Sequence, residues 1–362
     1  MKSIALLKEK DDRNIVALSP ANVKALAVNY TVMIESGAGL KAGFTDDEYA
    51  HHGGHIIENK EKLLANADIL ISYAAEIPVN SFTEANMVIG CYHVLDGLDD
   101  FSFYKKKLEF YSLDLLPRTT LAQSMDVLSS LASLAGYQAV IEGLNKVKKV
   151  APMIAGAGGT LQPMHVLVLG VGVAGLQAIA TAKRMGAVVS AFDVRKQTQL
   201  EVESLGAKFI EIEGAKEDQE SGGYAIEQGE DFNQMVQDTI AKNCEHIDVI
   251  ITTARIPGRK APILINEAAL KALKKDSIII DLAASTGGNV IQQDISKHYA
   301  LVSNSELFDQ LAYSSSLLLG NNICNFLKHW EKQADKDEKD DILKGALVAK
   351  GGQIVHPRLI QN

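Results

Sequence analysis

Short apolar runs alternate with amphipathic stretches along most of the chain. Ser3–Leu7, Tyr30–Ile34, Ala67–Ser72, Met87–Cys91 and Lys107–Leu113 read as strands in the first third. Val166–Leu169, Ala187–Phe192, Lys208–Ile212, Asp248–Thr252, Ser277–Leu282 and Tyr299–Val302 do so further on. Brief apolar runs closed off by glycine or polar residues are the pattern of strands buried on both faces. Helix signals lie between them. Pro20 precedes Val23, Leu26 and Ala27, a helix start. Thr45 with Glu48 forms a capping box. Ser124–Val147 repeats Leu128, Leu131, Ala132, Ala135 and Ala139 at helical spacing, and Ser315–Trp330 is helical again. Strands interleaved with helices predict parallel α/β sheets.

The long helix at 124–147 separates two such blocks and reads as a domain connector, with Gly156–Gly159 as a glycine-rich link into the second. Glu213–Asp231 is acidic, has no clear period and is long for a connection, the profile of either a surface loop or a lid. Ala334–Asp341 is a charge run that reads as a solvated linker. Gly345–Ile360 is expected to return to the first block as an extended tail. The boundaries expected are residues 1–125 plus 322–362 for the first domain and 126–321 for the second.

The densest signal runs from His165 to Asp193. The strand Val166–Leu169 leads into Gly170, Gly172 and Gly175 in a Gly-x-Gly-x-x-Gly turn that also holds Val173 and Ala174. Helix formers follow to Met185, Gly186 stops them, and a second strand ends at Asp193. Each part has a task in dinucleotide binding. Gly170 allows the tight turn, Gly172 lets a pyrophosphate approach the backbone, and Gly175 lets helix and sheet pack closely. The helix start offers unpaired N–H groups to phosphate. Asp193 suits a ribose 2′-hydroxyl and repels a 2′-phosphate, favouring NAD over NADP; Arg195 weakens that preference. The alternative is a βαβ unit whose glycines serve packing alone. A membrane span is excluded by the three glycines and Gln177. The turns Thr253–Gly258 (with Ala254) and Thr286–Asn289 follow strands of the same block and are expected beside the dinucleotide.

Charge and composition narrow the class. A 362-residue chain with net charge −9 does not suit nucleic acid as its main partner. Three isolated cysteines, Cys91, Cys244 and Cys324, make neither a disulfide framework nor a CxxC metal site. His51, His52 and His55 are interrupted by Gly53 and Gly54, so no metal is expected there. The first residues hold too short an apolar core for a signal peptide, and a cytoplasmic chain is expected. His93, at the end of an apolar strand, is either an active-site group or a hydrogen-bonded structural histidine. The strongest polar cluster outside the glycine turn is Arg118, Gln123 and Asp126, where a loop enters the long helix. Gln123 suits a carboxamide partner, with Arg118 and Asp126 orienting it; helix capping plus a surface ion pair is the alternative.

Together these stretches resemble the NAD(H)-binding alpha component of proton-translocating nicotinamide nucleotide transhydrogenases, a family similar to alanine dehydrogenase. The resemblance covers nearly the whole chain. It rests on VALSP at 16–20, ESGAGLKAGFTDDEY at 35–49, PRTTLAQSMDVLSS at 117–130, LAGYQAV at 134–140, GVGVAGLQAIATAKRMGA at 170–187, GGYA at 222–225, TTARIPGRKAP at 252–262, DLAASTGGN at 281–289 and GGQIVHP at 351–357. It implies two Rossmann-like, doubly wound parallel-sheet domains with the NAD(H) site in the cleft between them. Arg118, Gln123 and Asp126, with Ser129 nearby, would lie at the nicotinamide and its ribose. Gly223 and Tyr224 would form the tip of a mobile loop. The glycine turn, Asp193 and Arg195 would hold the pyrophosphate and adenosine ribose.

The resemblance further implies direct hydride transfer between NADH here and NADP(H) on a partner beta subunit. It also implies a membrane-spanning partner, a homodimer, and a peripheral position on the inner face of the cytoplasmic membrane. The competing reading is an alanine-dehydrogenase-like amino-acid dehydrogenase, and a third is a nucleotide sensor without turnover. Where alanine dehydrogenases carry a substrate arginine this chain has Ile15, and near their substrate lysine it has Ser72 and Tyr73. Ser285 stands where both relatives usually hold a carboxylate.

Overall fold

The computed structural model describes residues 1–78, 87–97, 99–211, 230–255, 258–291, 299–333, 336 and 340–360. The chain forms two compact units, one of residues 1–131 and 308–362, the other of residues 132–307. The crossings fall at 131/132 and 307/308, where the sequence pattern suggests 125/126 and 321/322.

The first unit is built on β1 (Ser3–Leu6), β2 (Thr31–Glu35), β3 (Gly54–Ile57), β4 (Ile69–Ile71), β5 (Met87–Gly90) and β6 (Glu109–Ser112). These six are parallel in the order β6-β5-β4-β1-β2-β3. Leu347–Lys350 then adds antiparallel to β6, with a bulge at Leu347/Ala349, and Gln353–Ile354 pairs beyond it. The tail expected to be extended is therefore a hairpin, turned by Gly351 and Gly352 in left-handed conformation. Tyr92, Phe103 and Phe110 stack edge-on in the core on one side of this sheet. The helices α1 (Pro20–Leu26) and α2 (Asp46–His51) both start in capping boxes, Ser19 with Asn22 and Thr45 with Glu48.

The long helix, α4 counting α3 at Lys60–Ala65, spans Val127–Lys146. It starts three residues later than its pattern suggests because Asp126 is extended and caps it, while Ala122–Met125 forms a separate 3₁₀ turn. By length and apolar character alone α4 meets the measure of a membrane span. In this structure its second half is a packing helix. A Cβ on Gly136 would stand 2.1 Å from the Ala174 carbonyl oxygen, and one on Gly143 would stand 2.8 Å from Val249.

Ile154–Gly156 (β7) and Gly159–Leu161 (β8), expected as a plain link, form an antiparallel hairpin exposed throughout. The second unit's sheet contains β9 (His165–Leu169), β10 (Val188–Phe192), β11 (Lys208–Phe209), β12 (Val249–Thr252), β13 (Ser277–Asp281) and β14 (Tyr299–Ser303). All are parallel, in the order β11-β10-β9-β12-β13-β14. Both sheets thus reverse direction once, between β4 and β1 in the first unit and between β9 and β12 in the second.

At the first reversal Glu9 is buried, its carboxylate accepting the N–H groups of Tyr73 and Ala74. Burial pushes this carboxyl up to about 7, although the two N–H donors, Arg13 and Lys60 all pull it down. The folded form therefore holds a proton more tightly than the unfolded chain does. The associated stability is fully present below about pH 4.5 and is lost as pH rises through about 7. Urea unfolding across this window is expected to show a decline of up to about 3 kcal/mol from this group. Glu9→Gln should flatten that part of the profile, and an unchanged slope would show that another group titrates.

Candidate dinucleotide site

The glycine turn lies at the carboxyl end of β9, beside the second unit's sheet reversal, where open α/β sheets take ligands. Gly170 has φ +97°, and its carbonyl accepts the Thr253 hydroxyl at 2.9 Å across the reversal. A Cβ on Gly175 would stand 2.0 Å from the Gly170 oxygen, so no larger residue fits without movement. Gly172 is different. It is exposed, has ordinary extended dihedrals, and a Cβ there would meet no atom within 4 Å. It is the N-cap of α5 (Val173–Arg184), and no side chain caps that end. The amides of Val173, Ala174 and Gly175 begin a twelve-residue helix at a site open on the Gly172 side. An unfilled space above an uncapped helix start fits a pyrophosphate, whose charge the N–H groups and helix dipole stabilise.

Asp193 is buried at the end of β10. Its carboxylate accepts the Val171 N–H at 2.7 Å and the Arg195 N–H at 2.9 Å. It also takes Arg195 Nε at 2.9 Å and Nη2 at 3.0 Å. Hydrogen bonding to Asp193 raises the Arg195 guanidinium above its ordinary pKa. A ribose hydroxyl donating to Asp193 must share these oxygens with Arg195 or displace it. The pairing also neutralises the carboxylate, a state the sequence pattern alone does not convey.

A support layer lies under the site, and sequence reasoning does not find it. Asn289 is fully buried; its amide donates to the Ala254 and Pro262 carbonyls at 2.9 and 2.8 Å, and its oxygen accepts the Ala254 N–H at 3.1 Å. Asp281 accepts the Thr252 hydroxyl and the amides of Ala283 and Asn289, each at 2.9 Å. These bonds tie the turns after β12 and β13 together and fix Thr253 and Ala254. The signal available is a polar pair, Asp281 and Asn289, flanking Gly287–Gly288; a Cβ on Gly288 would stand 2.6 Å from the Asp281 carboxylate. Ser285 is exposed on the same turn, and its N–H donates to the Ser305 hydroxyl at 2.9 Å.

In the first unit, Arg118 and Gln123 are exposed on the loop before α4. Asp126 accepts the Ser129 N–H at 2.9 Å and its hydroxyl at 2.6 Å, so both carboxylate oxygens cap the helix. The Gln123 turn is anchored by Asn322 and Asn325, whose amides donate to the Ser124 carbonyl at 2.9 and 3.0 Å. Gly223 and Tyr224 lie outside the described residues. His93 Nε2 is 2.8 Å from the Tyr73 hydroxyl. Ile15 is buried, and Ser72 is buried with its hydroxyl 2.6 Å from that of Tyr92.

A doubly wound parallel sheet with a glycine turn at its reversal defines a Rossmann-type, dinucleotide-binding protein. The chain belongs to the alanine dehydrogenase/PNT family: the N-terminal domain model of that family matches residues 5–135 and the C-terminal domain model matches 139–357. It is 40% identical to the first part of the NAD(P) transhydrogenase alpha subunit of Rhodospirillum rubrum, covering 98% of each chain. To the same subunit of Rickettsia prowazekii it is 35% identical, covering 98% of this chain and 96% of that one. The transhydrogenase structure from Sinorhizobium meliloti superposes with a TM-score of 0.83 at 33% identity, over 98% of this chain and 99% of that one. An L-alanine dehydrogenase structure shares the fold, with a TM-score of 0.78 at 21% identity over 99% and 98% of the two chains.

The two fingerprint glycines respond oppositely to a side chain. Gly172→Val should leave the melting temperature within about 2 °C of wild type, because a Cβ there meets no atom within 4 Å. NADH binding, followed by its fluorescence, should weaken at least about tenfold as the side chain fills the phosphate approach. Gly175→Ala should instead destabilise the second unit by about 1–3 kcal/mol through overpacking. A Gly172→Val protein that binds NADH normally would remove the phosphate from this turn.

Proposed function

We propose that the chain is the NAD(H)-binding alpha subunit of a proton-translocating transhydrogenase, passing hydride directly between its own nucleotide and NADP(H) on a beta subunit. The observation that carries this reading is a nucleotide end with no matching substrate cations. The glycine turn is open to phosphate, while the positions of the two substrate cations of alanine dehydrogenases hold buried Ile15 and buried Ser72. Arg13, two residues before Ile15, lies over the Tyr73 ring and acts on Glu9. Similarity over 98% of this chain to the first part of transhydrogenase alpha subunits supports the same reading.

The nicotinamide supplies the hydride chemistry; the side chains bind and orient. Backbone amides of Val173 and Ala174 would hold the pyrophosphate, and Asp193 with Arg195 the adenosine ribose. Gln123, presented on its anchored turn, would hydrogen-bond the carboxamide, with Arg118 beside it. Asp126 and Ser129 fix the helix start from which that turn projects. Placing two rings within reacting distance is the catalytic task, and no covalent intermediate with the protein is required. The assembly would sit at the inner face of the cytoplasmic membrane through a membrane-spanning subunit.

The exposed hairpin β7–β8 supports a homodimer. Met153, Ile154 and Leu161 are 62%, 47% and 54% exposed, apolar side chains gathered on one hairpin arm. Ile154→Asp with Leu161→Asp should halve the mass measured by sedimentation while leaving the melting temperature of the fold unchanged. A dimer that survives both charges would place the contact elsewhere.

Mixing the purified chain with the NADP-binding domain of a transhydrogenase beta subunit tests the activity. Reduction of an NAD analogue by NADPH is expected only in the mixture, and L-alanine with NAD should give no reduction. Alanine-dependent reduction without the partner would establish the amino-acid dehydrogenase instead. In the same assay Gln123→Asn should slow transfer at least about tenfold and change NADH affinity by less than about threefold. Equal losses in both would assign Gln123 a structural role.

A further inference from the structure

The turn that presents Gln123 is held by a pair of asparagines. Ala122 and Met125 are buried and seat the 3₁₀ turn Ala122–Met125 on the first unit, while Gln123 and Ser124 are exposed. The Ser124 carbonyl accepts the Asn322 amide at 2.9 Å and the Asn325 amide at 3.0 Å. Both asparagines come from the helix Ala312–Gln333 and lie three residues apart, on one face of it. Their bonds use both acceptor positions of a carbonyl one residue from Gln123. The helix is itself fixed at this level. A Cβ on Gly320 would stand 2.1 Å from Asn22 Oδ1, and Asn22 Nδ2 donates to Asn321 Oδ1 at 2.9 Å. Asn22 also closes the capping box of α1 with Ser19.

Asn322 is only 6% exposed, and its side-chain oxygen has no hydrogen-bond partner among the described residues. A buried acceptor left unmade costs at least as much as an ordinary hydrogen bond contributes. The Asn322 amide group therefore adds little to the stability of the fold. What it does add is direction, by holding the Ser124 carbonyl and the turn around it. We propose that Asn322, together with Asn325, is a positioning residue for Gln123, and that the rate of hydride transfer depends on this clamp more than nucleotide affinity does. The inference rests on the hydride-transfer reading of Gln123. In that reading affinity comes chiefly from the phosphate and ribose contacts at the glycine turn. A loosened Gln123 still meets the carboxamide but holds the ring less well, and reaction rates fall steeply with small misplacements of an orienting group.

The test uses the full chain mixed with the NADP-binding domain of a transhydrogenase beta subunit, as wild type, Asn322→Ala, Gln123→Ala and the double variant. Asn322→Ala should slow reduction of the NAD analogue by about fivefold or more while changing NADH affinity by less than about twofold. In the Gln123→Ala background the same substitution should cost less than about twofold in rate, because the clamp then has no amide to position. Equal losses of rate and affinity would make Asn322 a structural residue and overturn the proposal. So would a full, multiplicative loss in the double variant. Wild-type transfer by Asn322→Ala, with Gln123→Ala slow, would overturn the clamp and leave the role of Gln123 standing. Wild-type transfer by Gln123→Ala would remove both together. Should Asn322→Ala not fold, Asn325→Ala decides, since Asn325 is only half-buried and gives the second bond to the same carbonyl. The same split between rate and affinity is expected of it, and its absence would overturn the proposal.

Discussion

The nucleotide end of this protein depends on one close backbone approach. Gly175 comes so near the Gly170 carbonyl that a single added carbon would stand 2.0 Å from it, and the same carbonyl takes the Thr253 hydroxyl from across the sheet reversal. That contact sets how closely α5 lies against β9, and so where its first amides point. The approach is repeated on the other side of the helix, where the Gly136 backbone meets the Ala174 carbonyl. With small residues on both sides, the uncapped helix start is held in place by packing. Binding geometry here rests on missing side chains, backed by the Asp281–Asn289 hydrogen bonds beneath the neighbouring turns.

The two units share a sheet order and differ in what they do with its reversal. In the second, the crevice is lined by glycine, ends in an uncapped helix and opens above Gly172. In the first, the corresponding place holds a buried glutamate on two backbone donors, with aromatic and cationic groups closing around it. A doubly wound sheet supplies a concave, donor-rich edge wherever its strand order turns back. Whether that edge becomes a nucleotide site or a closed structural joint is decided by a few residues after the strands. Fold similarity to an L-alanine dehydrogenase and to a transhydrogenase is therefore compatible with different uses of the first unit.

The polar loop at Arg118–Ser129 is organised by one capping residue. Asp126 caps α4 through Ser129. That cap also separates the Gln123 turn from the helix and leaves Gln123 exposed on a short 3₁₀ segment. The capping bond and the presentation of Gln123 are thus one feature. Asp193 is likewise engaged within the fold, its charge balanced by Arg195.

What is legible in the sequence is what is encoded locally. The strand–glycine–helix–strand order of 165–193, the Thr45–Glu48 capping box and the α/β alternation depend on neighbours within a few residues, and periodicity or spacing reveals them. The hairpin at 154–161 escapes such a reading because a glycine-rich stretch carries little strand signal. The start of α4 escapes it because Asp126 caps the helix rather than continuing it. The Glu9 joint joins residues 64 and 65 positions apart, and the Asn289 clamp on Ala254 spans 35. No local pattern distinguishes such a glutamate or asparagine from a surface one. The sequence by itself determined the class of fold and the place of the glycine turn, since both follow from short-range order. Tertiary structure alone decided which polar groups are already satisfied, because burial and hydrogen bonding between distant strands exist only once the sheets have formed.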